Sequence, residues 1–214
     1  MIVLPLSGIE SVLCIGAHCD DVEIGCGGTL LRLLEANPSL QVHWVVLSSD
    51  EDRAAETRAA ADAFLAGSSG ARVEVEAFRG SYFPYVATEI KERFDRLGEE
   101  VEPDLVLTHY REDLHQDHRL LAELTYNTFR DHLILEYEIP KWDGDLGRPN
   151  VYVPVERQHA DRKVEILLDA FPSQRDKHWF SEETFRAVMR IRGIESKAPS
   201  GYAEAFHCRK LAIG

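Results

Sequence analysis

The sequence predicts an α/β fold: a mostly parallel, Rossmann-like sheet with helices on both faces. Three observations carry this. Short apolar runs alternate with helical patterns through the first two-thirds of the chain. That alternation is the mark of βαβ units and of a sheet covered on both sides. Gly, Pro and Asn punctuate the pattern where helices must stop. The polar residues able to do chemistry follow the predicted strands, and sheets of this class bind ligands at the carboxyl ends of their strands.

Taken in order, Ser11–Ile15 (SVLCI) is a predicted buried strand ending at Gly16. Gly27–Glu35 is a predicted helix, stopped by Asn37-Pro38. Gln41–Leu47 is the second strand and Arg53–Leu65 an Ala-rich helix closed by Gly67. Val73–Phe78 alternates Val and Glu as a third strand, and Ala87–Leu97 is a helix ended by Gly98. Leu105–Thr108 is the fourth strand, opened by Pro103-Asp104, and His118–Phe129 is the helix after a polar loop. The tail reads as a strand at Val151–Val155, helices at Ala160–Ala170 and Thr184–Ile191, and a last strand at Ala203–Arg209. No linker or repeat interrupts the 214 residues, so residues 1–214 read as one domain, long enough to bury its own core.

The net charge of −13 argues against a nucleic-acid binder and against a polybasic membrane-surface protein. Cys14, Cys19, Cys26 and Cys208 are too few for a disulfide framework. The opening MIVLPLSGIESVLCIGA has no Lys or Arg before its apolar run, unlike a signal peptide. No stretch reaches the length of a membrane span. The expectation is a cytoplasmic protein with no membrane insertion. Homo-oligomerisation is left open.

Two clusters could carry chemistry. Ala17-His18-Cys19-Asp20-Asp21 directly follows the first strand. Its carboxylates either cap the next helix or bind a metal. His115-Gln116-Asp117-His118 stands at a loop-to-helix junction, as a solvated loop or as metal ligands beside an orienting carboxylate. Both clusters fall at carboxyl ends of strands, so the fold brings them to one edge. His18, Asp21 and His118 then supply N, O and N, a donor set suited to catalytic zinc with an open position. Asp20 and His115 remain for acid–base work.

AHCDDVEIGCGGTL resembles the Ala-His-Pro-Asp-Asp…Gly-x-Gly-Gly-Thr signature of the PIG-L/LmbE-like zinc deacetylases, and THYREDLHQDH is similar to that family's second signature. SQRDKHW, RIRG and YAEAF also look like family features, so the likeness covers nearly the whole chain. Cys19 stands where the family usually has Pro, whose ring would stiffen the turn. The resemblance implies an LmbE-like fold and Zn²⁺ on His18, Asp21 and His118, with Fe²⁺ admitted by the same donors. It implies Asp20 as general base, His115 as a protonated partner of the oxyanion and leaving amine, and Asp117 as the residue that orients His115. The implied substrate is a small-molecule amino sugar, an N-acetylglucosamine unit of a larger conjugate, and the implied reaction is removal of its acetyl group.

Arg53 and Glu204 are the candidate substrate-binding residues; the resemblance implies Arg53 against a sugar hydroxyl, and Glu204 would line the site from the tail. Each has an equal reading as a structural group. Gly25-Cys26-Gly27-Gly28 allows an anion site or close packing. Residues 136–143 mix aromatics and carboxylates, as a sugar-binding rim or a packed loop. The net charge and Glu136-Tyr137-Glu138 favour a neutral or cationic sugar over a phosphorylated one. The rival reading is a nucleotide- or S-adenosylmethionine-dependent transferase. It is disfavoured because carboxylates occupy the position where a phosphate would sit.

Overall fold

The computed structural model describes Pro5 and residues 8–212. Part of the apolar opening stretch therefore lies outside the described residues. The strands are β1 (Ser11–Gly16), β2 (Gln41–Val46), β3 (Gly70–Val75), β4 (Leu105–His109), β5 (Leu133–Tyr137), β6 (Val151–Val155) and β7 (Tyr202–His207). They form one seven-stranded sheet in the order β3-β2-β1-β4-β5-β7-β6. β1 to β5 are parallel neighbours, with Cys14 of β1 opposite Trp44 on one side and Leu107 on the other. β7 runs antiparallel to both β5 and β6. The helices are α1 (Asp21–Ala36), α2 (Glu51–Phe64), α3 (Ala87–Glu100), α4 (Gln116–Thr128), α5 (Arg157–Ala170) and α6 (Glu182–Ser196). Among the described residues, no helix is long and apolar enough to cross a membrane.

Successive residues of a strand point to opposite faces of a sheet. Val12 and Cys14 accordingly join one core layer with Phe64, Val164, Leu167, Phe185 and Met189, from α2, α5 and α6. Leu13 and Ile15 join the other, with Ile90, Phe94, Leu121 and Leu124 from α3 and α4. The strand order reverses between β1 and β4, the topological switch point where open α/β sheets leave a crevice at the carboxyl ends. Both sequence clusters emerge at that crevice.

Three elements differ from the sequence reading. β5 was not foreseen: its Glu136 is a buried carboxylate at a strand end. α6 runs through Gly193, where a Cβ would fall 2.1 Å from the Gly201 carbonyl oxygen. α1 starts at Asp21, six residues before its predicted start, and passes through Gly25-Cys26-Gly27-Gly28. Glycine inside a helix costs about 1 kcal/mol against alanine. Close packing explains the choice, because a Cβ on Gly25 would fall 2.2 Å from the Tyr137 ring. These glycines lie within the helix, so the anion-site reading does not hold.

An ion pair completes this part of α1. Lys163 of α5 donates to the Ile24 carbonyl and to Glu204 Oε1, each at 2.6 Å. Glu204 of β7 accepts the N–H groups of Gly28 at 2.8 Å and Thr29 at 2.6 Å. Both side chains are 3% exposed. Removing one partner of a buried pair leaves an uncompensated charge and costs about 3–5 kcal/mol. Lys163→Met is expected to lose stability on that scale in urea denaturation. A loss below about 1 kcal/mol would show that the pair is dispensable.

Candidate active site

The turn after β1 is tied down on every side. Asp21 Oδ2 accepts the His18 N–H at 2.6 Å. Cys19 Sγ donates to the Ser48 carbonyl at 3.3 Å, and Thr57 Oγ1 donates to the Cys19 carbonyl at 3.0 Å. These tethers hold the turn that a proline ring would otherwise stiffen. The turn's N–H at His18 is satisfied by a carboxylate, so no phosphate cradle is present there.

At the start of α4, His118 points its Nε2 toward His18 Nδ1, 3.2 Å away. Asp21 Oδ2 lies 3.4 Å from His18 Nδ1, and Asp21 Oδ1 lies 3.6 Å from His118 Nε2. Donors at 2.0–2.1 Å from a tetrahedral zinc are about 3.3–3.4 Å apart, which the two facing imidazole nitrogens approach, while Asp21 turns a different oxygen to each. The far side of each imidazole meets a carboxylate. His18 Nε2 is 3.1 Å from Asp117 Oδ2, and His118 Nδ1 is 2.9 Å from Asp113 Oδ2. Such partners hold the ring protons. The two facing nitrogens then both present lone pairs, and only a cation between them relieves the repulsion. In a metal-free site a proton fills that role. Burial lowers the pKa of His18, yet Asp117 and Asp21 outweigh it and raise the value to about 9. Burial and the neighbouring His109 push His118 down to about 3.

Asp20 is buried beside them. Its Oδ1 is 3.3 Å from Arg53 Nη2, and its Oδ2 has no hydrogen-bond partner. Burial and the adjacent Asp21 raise its pKa, against the charges of Arg53, Lys177 and His18. His115 caps α4: its Nδ1 accepts the Asp117 N–H at 3.2 Å. A neutral ring in this pose carries its proton on Nε2. Burial lowers the His115 pKa, the charge of His18 lowers it further, and Asp117 only partly offsets them.

Two expected contacts are placed differently. Asp117 meets His115 through its backbone, while its carboxylate goes to His18 and accepts the N–H groups of Ser81 at 2.5 Å and Phe83 at 3.1 Å. The helix geometry decides this, since an N-terminal carboxylate two residues after the cap points away from the cap's own ring. Ser81 is left-handed at φ 65, and Gly80 lets this strap approach, because a Cβ there would lie 2.9 Å from Ser48 Oγ. Glu204 is not at the site. It is consumed by Lys163 and α1, as described above. Arg53 does sit at the site, against Asp20. Glu56, three residues after Arg53, accepts hydrogen bonds from Ser173. Glu136 and Glu138 are buried and paired with Arg209 and Arg192, so the expected acidic rim is absent. Besides Asp21, the charges that act on Asp20 are cationic, Arg53 and Lys177 among them.

Three residues escaped the sequence reading. His109, ending β4, is fully buried. It stacks on His118 at 3.9 Å, and its Nε2 accepts the Ala17 N–H and lies 3.2 Å from Asp21 Oδ2. Donor atoms of Asp21, His109 and His118 lie within 4.8 Å of one another, as do those of His18, His115 and His118. The sets share His118, so one polar cluster includes them all. Asp113 stands two residues before His115, a spacing that could have flagged it. Lys141, which bonds Asp113, carries no local sequence signal.

An α/β sheet with a His/Asp cluster at its switch point defines a class of proteins whose strand ends could hold a metal. Within that class, the chain belongs to the PIG-L family, whose model, described as GlcNAc-PI de-N-acetylase, matches residues 13–129. Solved structures share the fold. N,N'-diacetylchitobiose deacetylase from Pyrococcus horikoshii is 20% identical with a TM-score of 0.69, over 95% of this chain and 85% of that one. A conserved protein from Thermus thermophilus is 19% identical with a TM-score of 0.73, over 96% and 97%. GalB, the 4-carboxy-2-hydroxymuconate hydratase of Pseudomonas putida, is 20% identical with a TM-score of 0.75, over 96% and 98%.

Proposed function

We propose that this chain is a metal-dependent hydrolase that removes the acetyl group from an N-acetylglucosamine-type sugar or sugar conjugate. One observation carries the reading: two imidazole nitrogens 3.2 Å apart face each other, the Asp21 carboxylate turns an oxygen toward each, and the unpartnered Asp20 Oδ2 is buried beside them. His18, Asp21 and His118 would hold Zn²⁺, and the same N and O donors admit Fe²⁺. When bound, the ion supplies Lewis acidity that acidifies water and polarises an amide carbonyl.

The chain's own groups do the rest. Asp20 Oδ2 takes a proton from the attacking water, whose oxygen bonds to the amide carbon. A pKa raised by burial makes Asp20 a better base than an exposed aspartate, provided it stays ionised at the working pH. The carbonyl π electrons move to oxygen, where the His115 Nε2–H donates a hydrogen bond. Asp20 returns its proton to the nitrogen, the oxyanion electrons re-form the C=O bond as the C–N bond breaks, and a free amine leaves with acetic acid, which gives its proton to water and departs as acetate. A neutral His115 is favoured by its Nδ1 cap, so the amine's proton is assigned to Asp20 in place of the protonated imidazole expected from the sequence. His18 keeps its orientation through Asp117, and the strap at 81–83 covers that pair. Arg53 orients Asp20 and faces the substrate.

Protein purified without added metal is expected to hold about one zinc or iron per chain. It should release amine from at least one of N-acetylglucosamine, its UDP form and its glycosides. His118→Ala should lose the ion. Fully metal-loaded protein with no amine release from any of these compounds would overturn the deacetylase reading.

A further inference from the structure

Lys141 lies in the loop after β5, with its side chain 9% exposed. Its ammonium has three acceptors: Asp113 Oδ2 at 2.9 Å, Asp145 Oδ2 at 2.5 Å and the Ile139 carbonyl at 3.4 Å. That is the full donor capacity of a lysine. Asp113 is the hub on the other side. The oxygen that meets Lys141 also meets His118 Nδ1, and Asp113 Oδ1 accepts the His115 N–H at 2.7 Å. Asp145 accepts the Leu114 N–H at 2.7 Å. The loop from 139 to 147 is thus clamped onto the loop that carries His115 and His118. It also carries Trp142 and Leu146, which are exposed beyond the clamp.

We propose that Lys141 is a positioning residue of the metal-binding site, acting through Asp113 on His118. The proposal rests on His118 being a metal ligand. A buried carboxylate free to rotate could turn away from His118. With the His115 N–H on the other oxygen, Lys141 holds it in one rotamer, neutralises part of its charge, and so sets both the direction and the electron supply of the imidazole. Through the same ammonium, the ligand and the loop that carries Trp142 share one anchor.

The test is Co²⁺ binding, read by competition with a chelator and by the visible spectrum, in wild type, K141M, K141R, D113N and the K141M/D113N double variant. Loss of an outer-shell partner weakens metal binding about 10–100-fold, and K141M is expected in that range, with a changed cobalt spectrum. K141R should return to within about threefold of wild type. The double variant should bind about as weakly as D113N alone, because both changes break one path. K141M within about twofold of wild type, or losses that multiply in the double variant, would overturn the proposal. D145N removes the charge holding Lys141 from its far side. It should weaken binding about threefold or more even where K141M does not fold, and an unchanged D145N would then overturn the proposal. Wild type that binds no Co²⁺ would instead overturn the metal site itself.

Discussion

Asp20→Asn is expected to lower kcat by about 10²–10⁴ while the metal stays bound. The substitution keeps the size and one hydrogen-bond acceptor but removes the proton acceptor. Arg53 Nη2 lies 3.3 Å from Asp20 Oδ1, so an asparagine can keep its oxygen there and place its amide at the position of Oδ2. Oδ2 is the buried oxygen without a partner, and an amide nitrogen there cannot take a proton from water. Metal content is the control. His18, Asp21 and His118 are untouched, and Asp21 is held independently by the His18 N–H. A fall in turnover below about threefold would mean that another group activates water.

His115→Ala is expected to cost about 10²–10³ in kcat with metal retained, the size of losing an oxyanion donor. Alanine also removes the cap on the Asp117 N–H, so a second substitution separates the two effects. His115→Gln keeps a side-chain N–H donor. If donation from a neutral ring is the role, Gln should recover about tenfold or more over Ala. If an imidazolium must hand over a proton, Gln should be as poor as Ala. Loss of metal in His115→Ala, with metal kept in His118→Ala, would mean that the two histidines exchange roles. Atomic absorption on each purified variant separates these outcomes.

The sequence carried the architecture through its strongest local signals. The alternation of Ser11–Ile15, Gln41–Leu47 and Leu105–Thr108 with helices located three parallel strands and the crevice between β1 and β4. The two motifs at that crevice supplied His18, Asp20, Asp21, His115 and His118 as candidates. What was lost depends on contacts between distant residues. Leu133–Tyr137 hid as a strand because Glu136 is neutralised by Arg209, far along the chain. The first six residues of α1 hid because its glycines are chosen by the Tyr137 ring, not by helix propensity. Glu204 looked like a site residue because a carboxylate in a strand has no local explanation, and its partner Lys163 lies on another helix. Asp117 was paired with the nearer histidine in sequence, although the fold offers it the farther one.

The Lys163–Glu204 pair also bears on the order in which the chain can finish. Glu204 lies 176 residues after Gly28. A chain emerging from the ribosome makes α1 well before β7. Until β7 docks, the N–H groups of Gly28 and Thr29 have no distant carboxylate, and Lys163 has no anion to accompany it into the interior. The helix that begins at Asp21 therefore takes its final form only when the C-terminal strand is in place. The helix that follows the His18 turn is thus completed by a strand made long after it.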